Sequence, residues 1–222
     1  MPSDLRTHAI VLRRTNYGES DRILSLLTPE GKIAVLARGV RKEKSRLAGG
    51  IELFSVADVV MHQGHSNLAT LTSAKMLKFY GNIMTDLPRL ELASHYLKRL
   101  DRLAEQTDNP EFFTILKQIL HGLHRQMPLE LVRTWAILNL ARATGEEINL
   151  VRDVNEVELS VDQKYLWDGL EQALRPDMNG QIGVNEIKFA RILLTKPLSF
   201  ALKVEHYADL LPPLGLLVKS FE

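Results

Sequence analysis

Hydrophobic and polar positions alternate with a period of two through the first 80 residues, which is the pattern of half-buried β-strands. The alternating segments are rich in Val, Ile and Leu, and turn residues at Gly18 and at positions 29–31 separate them. Five short strands separated by turns are typical of a small closed β-barrel. The strands are predicted at residues 7–12, 22–28, 33–37, 56–61 and 68–74.

After residue 80 the hydrophobic period changes to about 3.6 residues, which indicates amphipathic helices. Three helices are predicted to open at prolines, because proline is favourable in the first turn of a helix. The third helix is predicted to end at Gly145, since glycine readily adopts the left-handed backbone that terminates helices. The three opening prolines are Pro88, Pro110 and Pro128.

The remaining segments are less regular, and the sequence leaves alternatives open. Residues 154–159 fit either a short strand or a turn, whereas residues 165–174 fit a helix. A further helix is predicted over residues 184–195. The tail from Leu198 onward is predicted to contain one or two helices, interrupted at Pro212 because proline cannot continue a helix.

The change of period also suggests how the chain is divided into domains. We expect an α+β protein with a barrel domain over residues 1–80 and a helical domain over residues 81–222. The less regular, cysteine-free stretch of the helical domain lies at about residues 149–183. No long linker rich in glycine or proline separates the two domains.

The composition, 45% hydrophobic and 25% charged residues, is that of an ordinary soluble globular protein rather than a disordered one. No run of about 18 apolar residues predicts a membrane span, and the early charged residues leave no room for a signal peptide. The sequence has no cysteine, which excludes disulfides, thiol catalysis and cysteine-ligated zinc. We expect a cytoplasmic protein without a cofactor.

The net charge of +1 hides an asymmetry between the two predicted domains. The first 80 residues have 12 Lys and Arg against 7 Asp and Glu, whereas acidic residues are in excess in the remainder. Within the first domain, residues 32–46 contain six cations and a single anion, Glu43. Such a run is typical either of a solvated charged loop or of a surface that binds a polyanion.

Motifs of common enzymes are absent, including the phosphate-binding P-loop and the serine-hydrolase and zinc-protease sequences. Two histidine pairs could contact a metal ion, but neither has a third ligand, so a structural role is the favoured interpretation. Trp135 and Trp167 fit core positions. We therefore expect neither catalysis nor a metal site. The histidine pairs are His62 with His65 and His121 with His124.

The sequence feature that points to a function is the set of cations on and beside the predicted barrel. Lys and Arg bind phosphates with little dependence on base sequence. Small barrels of this kind bind single strands in a positive groove, with aromatic rings that stack on bases. Aromatic residues are sparse here; Tyr17 is placed to stack, whereas Phe54 fits the core. The predicted contacts are Arg13, Arg14, Lys32, Arg38, Arg41, Lys42, Lys44 and Arg46.

Several segments of the first domain resemble the N-terminal domain of the RecO family of bacterial recombination mediators. The order and spacing of these segments agree with the family over about 45 residues, whereas beyond residue 80 only the layout agrees. The segments are Ala9-Ile10-Val11-Leu12, Tyr17-Gly18-Glu19-Ser20-Asp21-Arg22-Ile23, Leu27-Thr28, Gly31-Lys32, Ala37-Arg38-Gly39-Val40-Arg41-Lys42 and Lys44-Ser45-Arg46.

The resemblance implies an oligonucleotide/oligosaccharide-binding (OB) barrel followed by an all-helical domain. It implies that the protein binds single- and double-stranded DNA, anneals complementary strands and is associated with the nucleoid. It implies partnership with RecR, with the acidic C-terminal tail of single-stranded-DNA-binding protein (SSB), and with RecA loading. The loop cations would contact DNA, whereas Glu19 and Asp21 would be structural because carboxylates repel phosphate.

One departure from the family concerns zinc. Many RecO proteins have a four-cysteine zinc module after the helical core, but residues 149–183 of this chain contain no cysteine. Zinc is therefore not expected, and apolar packing is expected to hold the segment. For the SSB tail, the sequence offers only Arg125 and Arg133 as candidate contacts on the helical domain. The packing residues are predicted to be Val154, Val157, Leu159, Tyr165, Trp167 and Leu170.

Two other functions compete with a non-enzymatic DNA mediator. The first is a protein-interaction scaffold that binds an acidic partner peptide without nucleic-acid contact. The second is a hydrolase with an unrecognised site. Oligonucleotide binding separates the scaffold from the mediator, and a turnover screen with nucleic-acid substrates would detect the hydrolase.

Overall fold

The computed structural model describes residues 3–63, 68–146 and 148–221. The chain forms two compact units, the first extending to Arg125 and the second beginning at Gln126. The first unit thus contains two helices as well as the barrel strands. The division into domains at residue 80 stays a prediction, because it concerns which part folds independently.

Five strands of the first unit close into a barrel in the order β1-β2-β3-β5-β4. Neighbouring strands are antiparallel except β3 and β5, which pair in parallel at Val35–Ala69 and Leu36–Thr70. All five predicted strands are present, although β1 and β5 are longer than predicted. The strands are β1 Ser3–Tyr17, β2 Asp21–Thr28, β3 Gly31–Ala37, β4 Ser55–Gln63 and β5 Ala69–Phe79. The predicted connection at residues 62–67 includes residues 64–67, which lie outside the described residues.

Alternating side chains of the strands fill the barrel interior. Val11, Leu24 and Val59 are among the buried members of this apolar cluster, as expected for a closed sheet of period two. Gly50, in the short 3-10 turn at residues 48–50, lies directly against the backbone carbonyl of Ala74 in β5. Any side chain at this position would collide with that carbonyl, so the chain needs glycine here to leave the loop and enter β4.

Two helices follow the barrel strands within the first unit, α1 Leu87–Gln106 and α2 Glu111–His124. The carboxylate of Asp86 accepts a hydrogen bond from the backbone N–H of Arg89 and caps the start of α1, and Pro88 lies in its first turn. Both helices bury one apolar face, which confirms their predicted amphipathic pattern.

The second unit combines helices with a small sheet. Its strands are ordered β6-β8-β7, with β6 parallel and β7 antiparallel to β8. The elements are α3 Leu129–Ala143, β6 Asn149–Asp153, β7 Tyr165–Asp168, β8 Ala173–Pro176, α4 Val184–Thr195, α5 Tyr207–Leu210 and α6 Gly215–Lys219. The helix predicted at residues 184–195 is confirmed, and the tail contains two short helices with a 3-10 turn at residues 212–214 between them.

The expectation of an all-helical second half is wrong, and so is the helix predicted at residues 165–174. The reason is a local period of two: Tyr165 and Trp167 are buried on one face of β7, and the Trp167 indole N–H donates to the Ser220 hydroxyl at 2.7 Å. Leu170, predicted to pack, is 97% exposed in the turn to β8, and Val157 is also exposed. The structure therefore fits the α+β class through both of its sheets.

Residues 154–159, where the sequence allowed a strand or a turn, contain both features: a turn after β6 at residues 154–156, and an antiparallel bridge from Glu158 back to Arg152 of β6. The buried carboxylate of Asp153 accepts hydrogen bonds from the backbone N–H groups of Asn155 (2.7 Å) and Val157 (3.1 Å). Glu156 has a φ of 62°, which is the left-handed backbone of a tight turn. These hydrogen bonds shape a segment that the sequence expected apolar packing to hold.

Candidate nucleic-acid interface

The basic loop, defined here as residues 38–46, connects β3 to the turn before β4 and presents a set of exposed cations. In the described part of the chain, no carboxylate forms an ion pair with any of the five side chains. A cation without a protein counter-charge remains available to a phosphate. The five cations are Arg38, Arg41, Lys42, Lys44 and Arg46.

The turn between β1 and β2 anchors the basic loop. The Asp21 carboxylate accepts the backbone N–H of Gly39 at 2.7 Å, and the Ser20 carbonyl accepts the backbone N–H of Arg41 at 2.9 Å. Gly39 has a φ of 62°, which glycine adopts without strain. The structural role expected for Asp21 is confirmed, because its carboxylate positions the backbone of the basic loop.

The electrostatics of Asp21 agree with this anchoring role. The hydrogen bond from Gly39 holds the pKa of the Asp21 carboxyl below its ordinary value, aided by the Ser20 hydroxyl and the nearby charges of Arg38 and Lys42. Asp21 therefore stays ionised at neutral pH. Its negative charge also offsets some of the repulsion among the loop cations.

Two of the cations predicted on the barrel strands bind a carboxylate of α1. Nε of Arg13 lies 2.9 Å from Oδ2 of Asp101, and Nζ of Lys32 lies 2.6 Å from Oδ1 of the same group. The Ser25 hydroxyl donates to Asp101 at 2.6 Å, and Lys32 also contacts Glu105 at 2.7 Å. Asp101 thus joins β1, β2 and β3 to α1.

The Asp101 contacts determine the ionisation of that group. Partial burial alone would raise the pKa of the Asp101 carboxyl, but the hydrogen bonds from Lys32, Ser25 and Arg13 outweigh it and hold the pKa below its ordinary value. The Lys32 side chain is only 11% exposed. The third strand cation, Arg14, lies 3.0 Å from Glu52. All three predicted strand cations are therefore held by carboxylates.

The exposure of the aromatic residues agrees with the positions suggested by the sequence, whereas stacking of Tyr17 on bases stays a prediction. Tyr17 is 55% exposed at the end of β1, opposite Asp21 in the strand ladder and beside the turn that anchors the basic loop. Phe54 is buried, as are Trp135 and Trp167, which confirms their core positions. Tyr17 is thus an exposed aromatic ring beside the anchor of the basic loop.

A second basic cluster, which the sequence analysis missed, lies at the end of α2. We call it the α2-end cluster and define it as Lys78, Lys117, His121, His124 and Arg125. The two histidine rings contact the Tyr80 ring edge-on, with centroid distances of 6.5 and 5.8 Å. The sequence analysis singled out only the histidine pair, as possible metal ligands, and Arg125, as a candidate contact for an acidic tail, without joining them. No group of three metal-ligating side chains occurs within residues 3–63, 68–146 and 148–221.

The other candidate residues are dispersed. His62 pairs with Asp4 at 2.7 Å, and His65 lies outside the described residues. Arg125 directly follows α2 in the first unit, whereas Arg133 is exposed on α3 in the second. The candidate contacts for an acidic tail are therefore on different units. Within the described residues, no helix is long and apolar enough to cross a membrane.

Comparisons with known proteins give consistent matches. The family model described as "Recombination protein O N terminal" matches residues 1–80. DNA repair protein RecO of Roseiflexus sp. (strain RS-1) is 38% identical over 141 residues, which cover 63% of this chain and 50% of that protein. DNA repair protein RecO of two Dehalococcoides mccartyi strains is 29% and 30% identical, and these alignments cover 99% of this chain and 89% of each relative.

Proposed function

Since this chain belongs to the RecO family of DNA repair proteins, we propose that it is a recombination mediator that binds and anneals single-stranded DNA. The family supports a non-enzymatic role in DNA repair. The observation that carries the proposal is the basic loop, whose five cations are exposed and have no ion-pair partner in the described part of the chain.

The barrel supports the proposal through its topology. Five strands closed in the order β1-β2-β3-β5-β4, with one parallel pair, are the arrangement we assign to an OB-fold. Barrels of this kind bind single strands by combining a positive surface with rings that stack on bases. Here the positive surface is the basic loop, and Tyr17 provides an exposed ring at the neighbouring turn.

Charge arrangement favours the loop cations over the strand cations as principal contacts. A phosphate that binds Arg13 or Lys32 would have to displace Asp101, whereas a phosphate at the loop displaces only water and counterions. Contact of Arg13, Arg14 and Lys32 with DNA stays a prediction. We propose that any such contact contributes less than the loop does.

The test is charge reversal of three loop cations, Arg41→Glu, Lys42→Glu and Lys44→Glu together. We expect the affinity for a fluorescein-labelled oligothymidylate to fall by about 100-fold at about 50 mM salt, because several phosphate contacts become repulsive. Circular dichroism should show a folded protein. An affinity and salt dependence equal to those of the parent would exclude the loop as the DNA site.

The matched control carries the same change of charge elsewhere. Lys164, Lys188 and Lys219 are exposed residues of the second unit, and their joint replacement by Glu lowers the net charge equally. We expect this control to lose less than about 3-fold in affinity. A strand-annealing assay with and without SSB then tests the mediator role itself, and a hydrolysis product in that assay would point to an enzyme instead.

The same proposal includes protein partners. We propose that the protein acts with RecR and with the acidic C-terminal tail of SSB, and that it assists RecA loading. Arg125 and Arg133 remain the candidate contacts for the tail, although they lie on different units. Calorimetry with the tail peptide and single Arg→Ala variants would assign them, since a contacting Arg should weaken binding several-fold.

A further inference from the structure

The α2-end cluster gathers positive charge from separate parts of the first unit. Lys78 lies near the end of β5, Lys117 and the histidines lie on α2, and Arg125 directly follows α2. Lys78, Lys117, His121 and Arg125 are exposed. The residues are far apart in the sequence, so the fold is what brings their charges near one another.

Nothing in the described part of the chain neutralises these charges. No carboxylate forms an ion pair with Lys78, Lys117 or Arg125 in residues 3–63, 68–146 and 148–221. Although His121 is exposed, partial burial of its ring is the first cause that lowers its pKa, and the positive charges of Arg125, Lys78 and Lys117 lower it further. Like the basic loop, the cluster is therefore a positive surface whose Lys and Arg residues form no ion pairs within the described residues.

Helix capping does not account for the cluster. The carbonyl of His124 already accepts a hydrogen bond from the Asn82 side-chain amide at 3.1 Å, and that of His121 accepts the Arg125 backbone N–H at 2.9 Å. The last turn of α2 thus has partners other than the cationic side chains of the cluster.

His124 has a ring nitrogen without a hydrogen-bond partner among the described residues. Its Nδ1 is buried and has no hydrogen-bond partner in the described part of the chain. Burial lowers the pKa of the ring, followed by the charges of Lys78, His121 and Arg125. Each cause that acts on this ring among the described residues disfavours its protonated form, whereas a nearby anion would favour that form.

Exposed apolar side chains occur in the same stretch of chain as Lys78. Phe79, which follows Lys78 in β5, is 38% exposed and its ring lies over Gly81, while Met84 in the following 3-10 turn is also exposed. Cations together with an exposed ring are the combination that binds both the phosphates and the bases of a single strand. A free phosphate ion would use only the charge.

We propose that the α2-end cluster is a second phosphate-binding surface, which takes the backbone of a nucleic-acid strand independently of the basic loop. The proposal rests on the proposed function, because annealing needs two strands on one protein or on neighbouring copies. With the basic loop holding one strand, the cluster gives the first unit a place for another.

The test measures how many oligonucleotide strands each protein chain binds. The variant Lys78→Glu, Lys117→Glu, Arg125→Glu is compared with the parent, with the loop variant and with the triple-Lys control of the second unit. Binding of a short labelled oligothymidylate is titrated at protein concentrations well above Kd. We expect two strands per parent chain, one per chain in each of the cluster and loop variants, and two in the control.

Annealing is measured on the same four proteins with complementary oligonucleotides. We expect the cluster variant to anneal at least about 10-fold more slowly than the parent, since a lost phosphate surface weakens capture of the second strand. A second variant with Gln in place of the three cations keeps the experiment interpretable if charge reversal disturbs folding. Its expected loss is in the same direction and smaller.

The outcomes separate this proposal from the proposed function. A cluster variant that binds two strands and anneals like the parent overturns the second surface and leaves the loop assignment intact. A variant that keeps both strands but loses binding of an acidic aspartate peptide identifies a peptide site and also overturns it. A parent that binds no oligonucleotide overturns both proposals.

Discussion

The cations of the basic loop and the cations of the barrel strands are the same residue types with opposite surroundings. Arg41 and Lys42 are exposed and lack ion-pair partners in the described residues, whereas Arg13 and Lys32 share the carboxylate of Asp101. The sequence analysis grouped them as one DNA-binding set because each adds positive charge to the first 80 residues. We infer from the comparison that local counter-charge, rather than the presence of Lys or Arg alone, decides which cations are open to phosphate.

The strand cations have a structural task that explains their partners. Asp101 and Glu105 lie on α1, so Lys32 and Arg13 hold this helix against the barrel. A half-buried pair loses much of its hydration on folding, and its members must remain paired to recover that cost. The loop cations remain hydrated, so the folded protein needs no ion pair to stabilise them.

Removal of the Lys32 charge should give the largest effect on stability. It tests whether the strand cations, unlike the loop cations, have a structural role. We expect Lys32→Met to lower the free energy of unfolding by about 3 kcal/mol, because Asp101 loses its closest cation while remaining largely covered. Urea denaturation measures the loss. Arg14→Gln is the control, since its partner Glu52 is well exposed and the pair should contribute less than about 1 kcal/mol. Equal losses in the two variants would remove the distinction between a docking pair and a surface pair.

Substitutions at Asp21 should give a smaller effect, on binding rather than on stability. Asp21→Ala removes the acceptor for the Gly39 N–H, so we expect the oligothymidylate affinity to fall about 5-fold as the basic loop loses its anchor. The salt dependence should stay unchanged, because all five cations remain. Asp21→Asn keeps an acceptor and removes a negative charge, so its affinity should equal or exceed that of the parent. An Ala variant that binds like the Asn variant would show that only the charge of Asp21 matters.

The change of stability with pH should be the smallest of these effects. It distinguishes the ion-paired Asp101 from the histidines of the α2-end cluster. The pKa of Asp101 is lowered in the folded protein, so its stabilisation is present above the unfolded pKa of about 4 and is lost as the pH falls through the lower folded pKa.

The pKa values of His121 and His124 are also lowered, chiefly by burial and then by neighbouring cations. A histidine with a lowered folded pKa binds its proton more readily in the unfolded chain. The free energy of unfolding should therefore decrease as the pH falls below about 6.5.

One variant separates the loss of stability caused by the histidines, below about pH 6.5, from the loss caused by Asp101, below about pH 4. Among the described residues, the groups recorded against the two histidine rings are Tyr80 and the cations of the α2-end cluster, and none of these is a carboxylate; Asn82 contacts the backbone carbonyl of His124. His121→Gln with His124→Gln should flatten the decrease between about pH 6.5 and 5.5 and leave the acid limb below about pH 4 unchanged. Denaturation curves across this range measure both limbs. A decrease near pH 6 that persists in the double variant would assign it to other histidines.

Local pattern predicted much of the fold. The five barrel strands, the three proline-opened helices and the helix at residues 184–195 were evident because their hydrophobic periods extend over several residues. The second sheet was missed because β7 and β8 have four residues each, too few for a period of two to stand out from a helical one. Tyr165 and Trp167 are two positions apart, and only the fold shows that both face inward.

The candidate site was predictable only in part, because its decisive contacts are far apart in the sequence. Lys32 and Asp101 are 69 residues apart, so the sequence contains no sign that this cation is already bound. The α2-end cluster likewise joins Lys78 to Lys117 and Arg125 through the fold. By contrast, the five cations of the basic loop lie within nine residues, which is why composition alone detected them.

The most direct measurement compares two pairs of cations in the same unit. Arg41→Gln with Lys42→Gln removes two loop charges, and Arg13→Gln with Arg14→Gln removes two strand charges, so both variants have the same net charge. The affinity for oligothymidylate is measured between about 50 and 200 mM salt. The account predicts that the slope of log K against log salt becomes shallower by about 1.4 in the loop variant and changes by less than about 0.3 in the strand variant. Equal changes in the two variants, or a larger change in the strand variant, would contradict it.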